Sequence, residues 1–187
     1  MIDFNDISVV VPTNRDSVVT LETVPVEAEV LVRRDEGLNV ARNEGVKAAA
    51  SDWIVIADDD IRFPSDLVVE TINEIDRMTL AGLADFLPLR WVIGRLLIFH
   101  RDLWERVGGF DERRHHGGDT DFAIRVEKVG GTVRRLDRKS VPHFDEDTGI
   151  GMSTREHIEW ATYLLRRHPS TFGPVAAKLL FRRLDPR

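Results

Sequence analysis

The chain has 187 residues, 42% hydrophobic and 31% charged, the balance of one folded domain and not of a disordered segment. A formal charge of -6 opposes the coating of a polyanion, so no nucleic-acid partner is expected, and the lack of cysteine excludes disulfides, thiolate metal sites and thiol catalysis. No run approaches the ~20 apolar residues of a membrane span, and Asp3 and Asp6 stand where a signal peptide would be basic, so a cytoplasmic protein is expected.

Ile7 to Val11 reads as a buried strand running into the loop Pro12-Thr13-Asn14, and Ala28 to Val32, ending near Asp35, repeats the pattern. Only a turn or two of helix fits between them. A helix follows over Asn39 to Ala50 with Asn39 as N-cap, then a strand over Trp53 to Ala57, then a helix capped by Ser65 and running to Met78. Strands alternating with helices imply a mainly parallel sheet.

Trp91 to Phe99 is apolar enough for one or two strands, Arg101 to Val107 forms a short helix, and Gly108-Gly109 stops it. Gly117-Gly118 leads into a helix over Asp119 to Val129, and Val133 to Leu136 and Val141 to Phe144 read as small strands. Two terminal helices, Thr154 to Arg167 and Gly173 to Leu184, are separated by Pro169. From Ile150 onward seven Lys or Arg face three acids, so these amphipathic helices carry a local basic excess suited to peripheral contact with an anionic membrane.

Asp58, Asp59 and Asp60 follow the strand Trp53 to Ala57 directly. Adjacent carboxylates repel one another unless a cation neutralises them. In extended chain, residues two apart share a face, so Asp58 and Asp60 can converge on one ion. The carboxyl end of a parallel strand is where ligands bind in such sheets. All-oxygen ligation favours Mg²⁺ or Mn²⁺ bridging to substrate phosphates.

The ordered set Val9-Val10-Val11-Pro12-Thr13-Asn14, Leu38-Asn39-Val40-Ala41-Arg42-Asn43-Glu44-Gly45-Val46 and Asp58-Asp59-Asp60 resembles the donor half of the family 2 glycosyltransferases. Gly94, Phe99-His100-Arg101, Val107-Gly108-Gly109-Phe110-Asp111-Glu112, Gly118-Asp119-Thr120-Asp121-Phe122 and Arg125 continue that family's series. The resemblance implies a GT-A-like, Rossmann-like α/β fold: a mainly parallel sheet flanked by helices, a small second sheet and C-terminal helices. It is expected as one domain over 1–187, with a nucleotide-sugar half to about residue 90, an acceptor half over about 91–149, and terminal helices from about 150.

By the same resemblance, Pro12, Thr13, Asn14, Asp35, Arg42, Asp58 and Asp59 would bind the nucleotide sugar, UDP- or GDP-linked. Asp58, Asp60 and His143 would hold Mn²⁺ or Mg²⁺, and His115 and His116 would belong to an acceptor-side loop. Asp119, behind two glycines at a helix N-terminus, is the expected general base, with Asp121 sharing the task. The family's usual Glu-Asp is here Gly118-Asp119, so one carboxylate is missing, and no Q-x-x-R-W motif of processive members occurs. The implied reaction is metal-dependent, inverting transfer to a glycan or lipid-linked hydroxyl, at the cytoplasmic face of a membrane where the acceptor is a lipid. Two other readings stay open: a degenerate module that binds a nucleotide sugar without transfer, and a metal-dependent nucleotidyl or phosphoryl transferase.

Overall fold

The computed structural model describes residues 2–86, 88–113, 117–142 and 153–184. Six strands form one sheet: β1 (Ile7–Pro12), β2 (Glu29–Arg33), β3 (Trp53–Ala57), β4 (Thr79–Ala84), β5 (Val92–His100) and β6 (Thr132–Leu136), in the order β2-β1-β3-β5-β4-β6. β5 runs antiparallel to both its neighbours, and the remaining pairings are parallel. The helices are α1 (Leu38–Ala48), α2 (Ser65–Glu74), α3 (Arg101–Val107), α4 (Gly118–Lys128), α5 (Thr154–Arg167) and α6 (Pro169–Leu184).

The apolar runs are continuous because the central strands are buried on both faces. Val10, Ile54, Ile56, Leu97 and Phe99 pack into one cluster with residues of α1, α3, α4, α5 and α6. Their alternating neighbours Val9, Val11, Val55, Ala57, Leu96 and Ile98 pack into the other with residues of α2. α1 lies so close to β1 that a Cβ on Gly45 would sit 2.2 Å from Val10 Cγ1, which accounts for the glycine of the A-R-N-x-G motif.

Several expectations are corrected. Gly37, at φ 106°, is the N-cap of α1; Asn39 lies inside the helix, buried, and donates to the Asp111 carbonyl at 2.9 Å. α2 is preceded by Pro64 as N-cap and ends at Glu74, short of Met78. The chain then forms β4, whose Thr-Leu-Ala-Gly-Leu-Ala run lacks the β-branched alternation that marks a strand. The first crossover, by contrast, is as short as expected, with one 3₁₀ turn, Val19–Glu22. β6, expected in a second sheet, extends the edge of the main one beside β4. Val141 and Pro142 lie outside any strand, and the rest of that expected element is beyond the described residues. α6 begins at Pro169, where proline suits a first helical turn.

α5 and α6 cap the sheet. Trp160, Ala161, Leu164, Phe172, Val175 and Ala176 all join the core, while Ile158 and Leu165 face solvent. Among the described residues no helix is long and apolar enough to cross a membrane.

Candidate active site

The carboxyl ends of β1, β2 and β3 open into a cleft of about 450 Å³. Pro12, Thr13, Asn14, Asp35, Asp58, Asp59 and Asp60 all line it, together with Gly37 and Leu38 at the N-terminus of α1. An exposed helix N-terminus presents backbone N–H groups and a positive dipole end, which suits a phosphate. Asp35 is fixed by a bidentate pair with Arg33, at 2.8 Å on each oxygen, which holds its carboxyl below the usual range. Thr13 donates its hydroxyl to Asp59, so the first strand end and the acidic triplet are tied together. Thr20 anchors the triplet: its hydroxyl, with one proton to give, lies 2.5 Å from the Asp58 carbonyl and 2.9 Å from the Ile61 carbonyl, and it accepts from the Ile61 N–H at 3.2 Å.

Arg42 does not line the cleft. It is 3% exposed and donates to the Gly94 carbonyl at 3.1 Å and to Asn39 at 3.4 Å, with Asp58 Oδ1 3.5 Å away. Its charge therefore reaches the cleft through Asp58. Asp58 keeps 30% of its side chain in solvent. Burial by its packed surroundings pushes its carboxyl up to about 6, with Arg42 opposing and Asp60, Asp119 and Asp59 adding to the rise. Between the ordinary value of 3.8 and about 6 the folded chain therefore holds a proton that the unfolded chain releases. That contribution favours folding at the acid end and is lost as pH rises through 6. Metal binding requires the ionised form, so the opposite holds: Mn²⁺ affinity should fall about tenfold per pH unit below about pH 6 and level off above it. A calorimetric pH series checks this, and a flat profile from pH 5 to 7 would remove Asp58 from the metal site.

Asp119 approaches from the other side. β5 makes this possible, because its ladder with β4 jumps from Leu97 to Ile93 and Gly94, Arg95 and Leu96 bulge out. The Asp58 N–H donates to the Arg95 carbonyl at 2.9 Å, and the Gly94 N–H donates to Asp119 Oδ2 at 2.7 Å. The same bulge thus holds both carboxylates, and Gly82 on β4 leaves room for it, since a Cβ there would meet the Leu96 carbonyl at 2.9 Å. The Thr120 N–H occupies Asp119 Oδ1 at 2.7 Å.

Asp121 is directed elsewhere. It has no exposed surface and sits among Arg125 at 2.8 Å, Arg167 at 2.8 Å and His168 at 2.8 Å. Lys128 donates to His168 Nδ1 at 2.7 Å, so His168 Nε2–H is the donor to Asp121. Gly118 is pressed against Asn39: a Cβ there would lie 2.3 Å from the Asn39 amide nitrogen, so the glutamate usual at this position has no room. His143, His115 and His116 lie outside the described residues.

The motif residues between these groups brace the site. Asn43 on α1 accepts from Phe110 N–H and Trp104 Nε1–H at 2.8 and 3.1 Å and donates to the Phe110 carbonyl and Glu112 at 2.9 and 2.8 Å, pinning the Gly-Gly-Phe-Asp-Glu segment. Arg101 donates to the carbonyls of Val46, Ala49 and Ser51 at 2.6, 2.6 and 2.8 Å and so closes the C-terminal end of α1.

Sequence reasoning missed Arg15, which lines the cleft with Nε and Nη1 3.9 and 3.7 Å from Asp59 and Asp60. It also missed Asp85 just past β4, where burial raises the carboxyl to about 6 and Asp119 adds to the rise. Asp111 was seen only as a motif letter. Burial opposes its ionisation, but hydrogen bonds from Arg113 and Tyr163 carry its carboxyl down to about 2.

Asp58 and Asp60 offer hard oxygen donors, and among the described residues no three Asp, Glu, His or Cys side chains converge into a ready-made metal cage. Such a partial shell fits Mg²⁺ or Mn²⁺, which complete their coordination with water and substrate phosphates.

Solved structures of similar fold include glycosyltransferases. A mutant of Drosophila beta-1,4-galactosyltransferase 7 in complex with manganese, UDP-Gal and xylobiose aligns at 17% identity over 81% of this chain and 78% of its own, with a TM-score of 0.58. A mannosyltransferase of Pyrobaculum calidifontis in complex with GDP-Man and Mn²⁺ aligns at 15% identity over 87% of this chain and 60% of its own, TM-score 0.62. TarS of S. aureus aligns at 14% identity over 85% of this chain and 39% of its own, TM-score 0.56. At these identities the likeness carries the GT-A fold. No curated protein sequence matches the chain. The sequence model of glycosyl transferase family 2 matches residues 21–131, from the first crossover to the end of α4, taking in the acidic triplet, the β5 bulge and Asp119. The chain belongs to glycosyl transferase family 2.

Proposed function

We propose that this family 2 glycosyltransferase moves a hexosyl group from a UDP- or GDP-linked donor to an acceptor hydroxyl, with inversion and with a divalent metal. The observation that carries the reading is the β5 bulge, which fixes Asp58 through the Arg95 carbonyl and Asp119 through the Gly94 N–H, on either side of the place where donor and acceptor must meet. The diphosphate lies in the cleft against the N-terminus of α1, and Thr13, Asn14 and Asp35 border the nucleoside. Asp58 and Asp60 hold Mn²⁺ or Mg²⁺, which when bound offsets the charge developing on the leaving diphosphate. Asp119 takes the proton of the attacking hydroxyl as general base. Asp121 supports it as a buried anchor beneath the same helix.

The bound sugars named for the structural relatives, UDP-Gal and GDP-Man, support a nucleotide-sugar donor, and the xylobiose complex supports a glycan acceptor. For a lipid-linked acceptor, the exposed Ile158 and Leu165 beside Arg155 and Arg166 are what α5 offers an anionic surface. Titration calorimetry with UDP- and GDP-sugars in Mn²⁺ or in chelator tests the proposal. Binding of at least one donor is expected in Mn²⁺, weakened about tenfold or more by chelation. Absence of any donor binding would defeat the reading, and binding without transfer to any hydroxyl would favour the module that the missing glutamate at Gly118 suggests.

A further inference from the structure

β5 lays the site out in a line. Its Arg95 carbonyl takes the Asp58 N–H at 2.9 Å, its Gly94 N–H holds Asp119 at 2.7 Å, and its Trp91 carbonyl takes the Asp85 N–H at 3.2 Å. Because β4 runs antiparallel to β5, with Leu83 opposite Ile93 and Ala84 opposite Val92, Asp85 and then Phe86 continue outward from the bulge, away from Asp58. Gly94 and Trp91 are three residues, about 10 Å, apart along the strand. The exposed large apolar side chains among the described residues include one aromatic, Phe86, at 59% exposure. Its position is nevertheless braced. Arg138, in the 3₁₀ turn Arg138–Ser140 after β6, sets its guanidinium 3.6 Å from the ring centre, and the Phe86 N–H donates to Asp85 Oδ1 at 2.6 Å. A ring backed by a cation on one face and still so exposed offers its other face to solvent.

We infer that Asp85 and Phe86 form an acceptor subsite for a neutral saccharide of two or more units: the terminal unit gives one hydroxyl to Asp119 and a second to Asp85, and the next unit stacks on Phe86. The inference deepens the proposed function and rests on it. A carboxylate only accepts, so Asp85 selects a ligand rich in hydroxyl donors. Burial raises its carboxyl to about 6 and Asp119 adds to the rise, so the two acids feel each other's charge and an anionic group between them is repelled. A pyranose presents hydroxyls at its edge and apolar C–H groups on its faces, which match a carboxylate and an aromatic ring in turn. One such unit placed at Asp119 is too short to cover a ring that lies beyond Trp91, and this gives the minimum of two units. Neither Asp85 nor Phe86 lines the donor cleft, so the subsite and the nucleotide-sugar site are separable.

The test uses wild type, Phe86→Ala, Phe86→Tyr and Asp85→Asn. The probes are the methyl glycosides of xylose, glucose, galactose and mannose and the corresponding disaccharides. Binding is read by saturation-transfer NMR with Mn²⁺ and UDP or GDP present, and kcat and KM for the saccharide are measured where transfer occurs. A disaccharide should bind wild type about tenfold more tightly than its methyl monosaccharide. Phe86→Ala should abolish that preference, raising the disaccharide KM about tenfold with kcat within about threefold, whereas Phe86→Tyr should keep it within about twofold. Asp85→Asn, whose side-chain oxygen still accepts from the Phe86 N–H, should weaken both saccharides about fivefold, since hydrogen bonds to a charged group are the stronger. Calorimetric affinity for the nucleotide sugar should stay within about twofold of wild type in both Phe86 variants, with a melting temperature within about 2 °C, because the ring is exposed. Failure of every neutral saccharide to bind, or a disaccharide preference that survives Phe86→Ala, overturns the inference while nucleotide-sugar binding leaves the proposed function standing. Unchanged saccharide affinity in Asp85→Asn overturns it likewise. Wild type that binds no UDP- or GDP-sugar defeats the proposed function, and the inference with it.

Discussion

Asp119→Asn is expected to slow sugar transfer by about 10²–10⁴-fold while leaving nucleotide-sugar affinity within about twofold of wild type. The substitution keeps shape and removes the proton acceptor. Asp119 takes the Gly94 N–H on one oxygen and the Thr120 N–H on the other, at 2.7 Å each. An asparagine amide can accept only one of these and turns an NH₂ toward the second, so a loss of about 1 kcal/mol in stability accompanies the change. The donor cleft, formed by the ends of β1, β2 and β3, is not lined by Asp119 and should keep its affinity. Single-turnover transfer rates with a saturating donor, beside calorimetric donor binding, check the split. Transfer within tenfold of wild type would take Asp119 out of the chemistry. Asp85, whose carboxyl feels the charge of Asp119, is then the next group to test.

The proposed donor cleft is the part of this molecule most legible in the sequence, because its residues are consecutive and sit at strand ends. Pro12-Thr13-Asn14 and Asp58-Asp59-Asp60 each follow a run of buried residues, and parallel pairing of β1 with β3 brings the two ends together. The other half of the site depends on an event that leaves no local mark. The bulge of Gly94, Arg95 and Leu96 arises from the mismatch of β5 with β4, and β4 itself, rich in alanine and glycine, resembles no strand until Gly82 is seen against the Leu96 carbonyl. Asp85 joins the site only through that pairing. Arg15 was hidden for another reason, since an exposed loop arginine gains meaning only when the acids it faces, more than forty positions away in Asp59 and Asp60, are known to lie beneath it. Arg42 shows the reverse: the motif pointed to the donor, whereas burial gives the guanidinium to Gly94 and Asn39 and leaves only Asp58 on the cleft side.

Asp121→Ala should separate the two carboxylates of the Asp-Thr-Asp motif by property as well as by size of effect. Residues two apart on a helix point about 200° away from one another, so when Asp119 faces the β5 bulge Asp121 must face inward. There it is fully buried, with Arg125 on Oδ2 and Arg167 and His168 on Oδ1. Arg167 also pairs with Asp111 at 2.7 Å, and Tyr163 donates to the same Asp111 oxygen at 2.9 Å. α5 is thereby bound to both ends of the segment that carries Gly117, Gly118 and Asp119. Trp160 adds apolar cover, so close that a Cβ on Gly117 would lie 2.1 Å from its ring. Removing the Asp121 carboxylate strands the Arg125 side chain, 14% exposed, without its counter-charge, a loss of about 3–5 kcal/mol for a buried pair. For a chain of this size that is a fall of roughly 10 °C in melting temperature, readable by calorimetry, where Asp119→Asn should show only about a fifth to a third of it. Below its melting transition Asp121→Ala should retain transfer within about tenfold per folded molecule, the loss arising from a looser Asp119 and not from a missing proton acceptor. A variant with wild-type melting and abolished transfer would reverse the assignment, making Asp121 the residue that touches the acceptor and Asp119 the anchor.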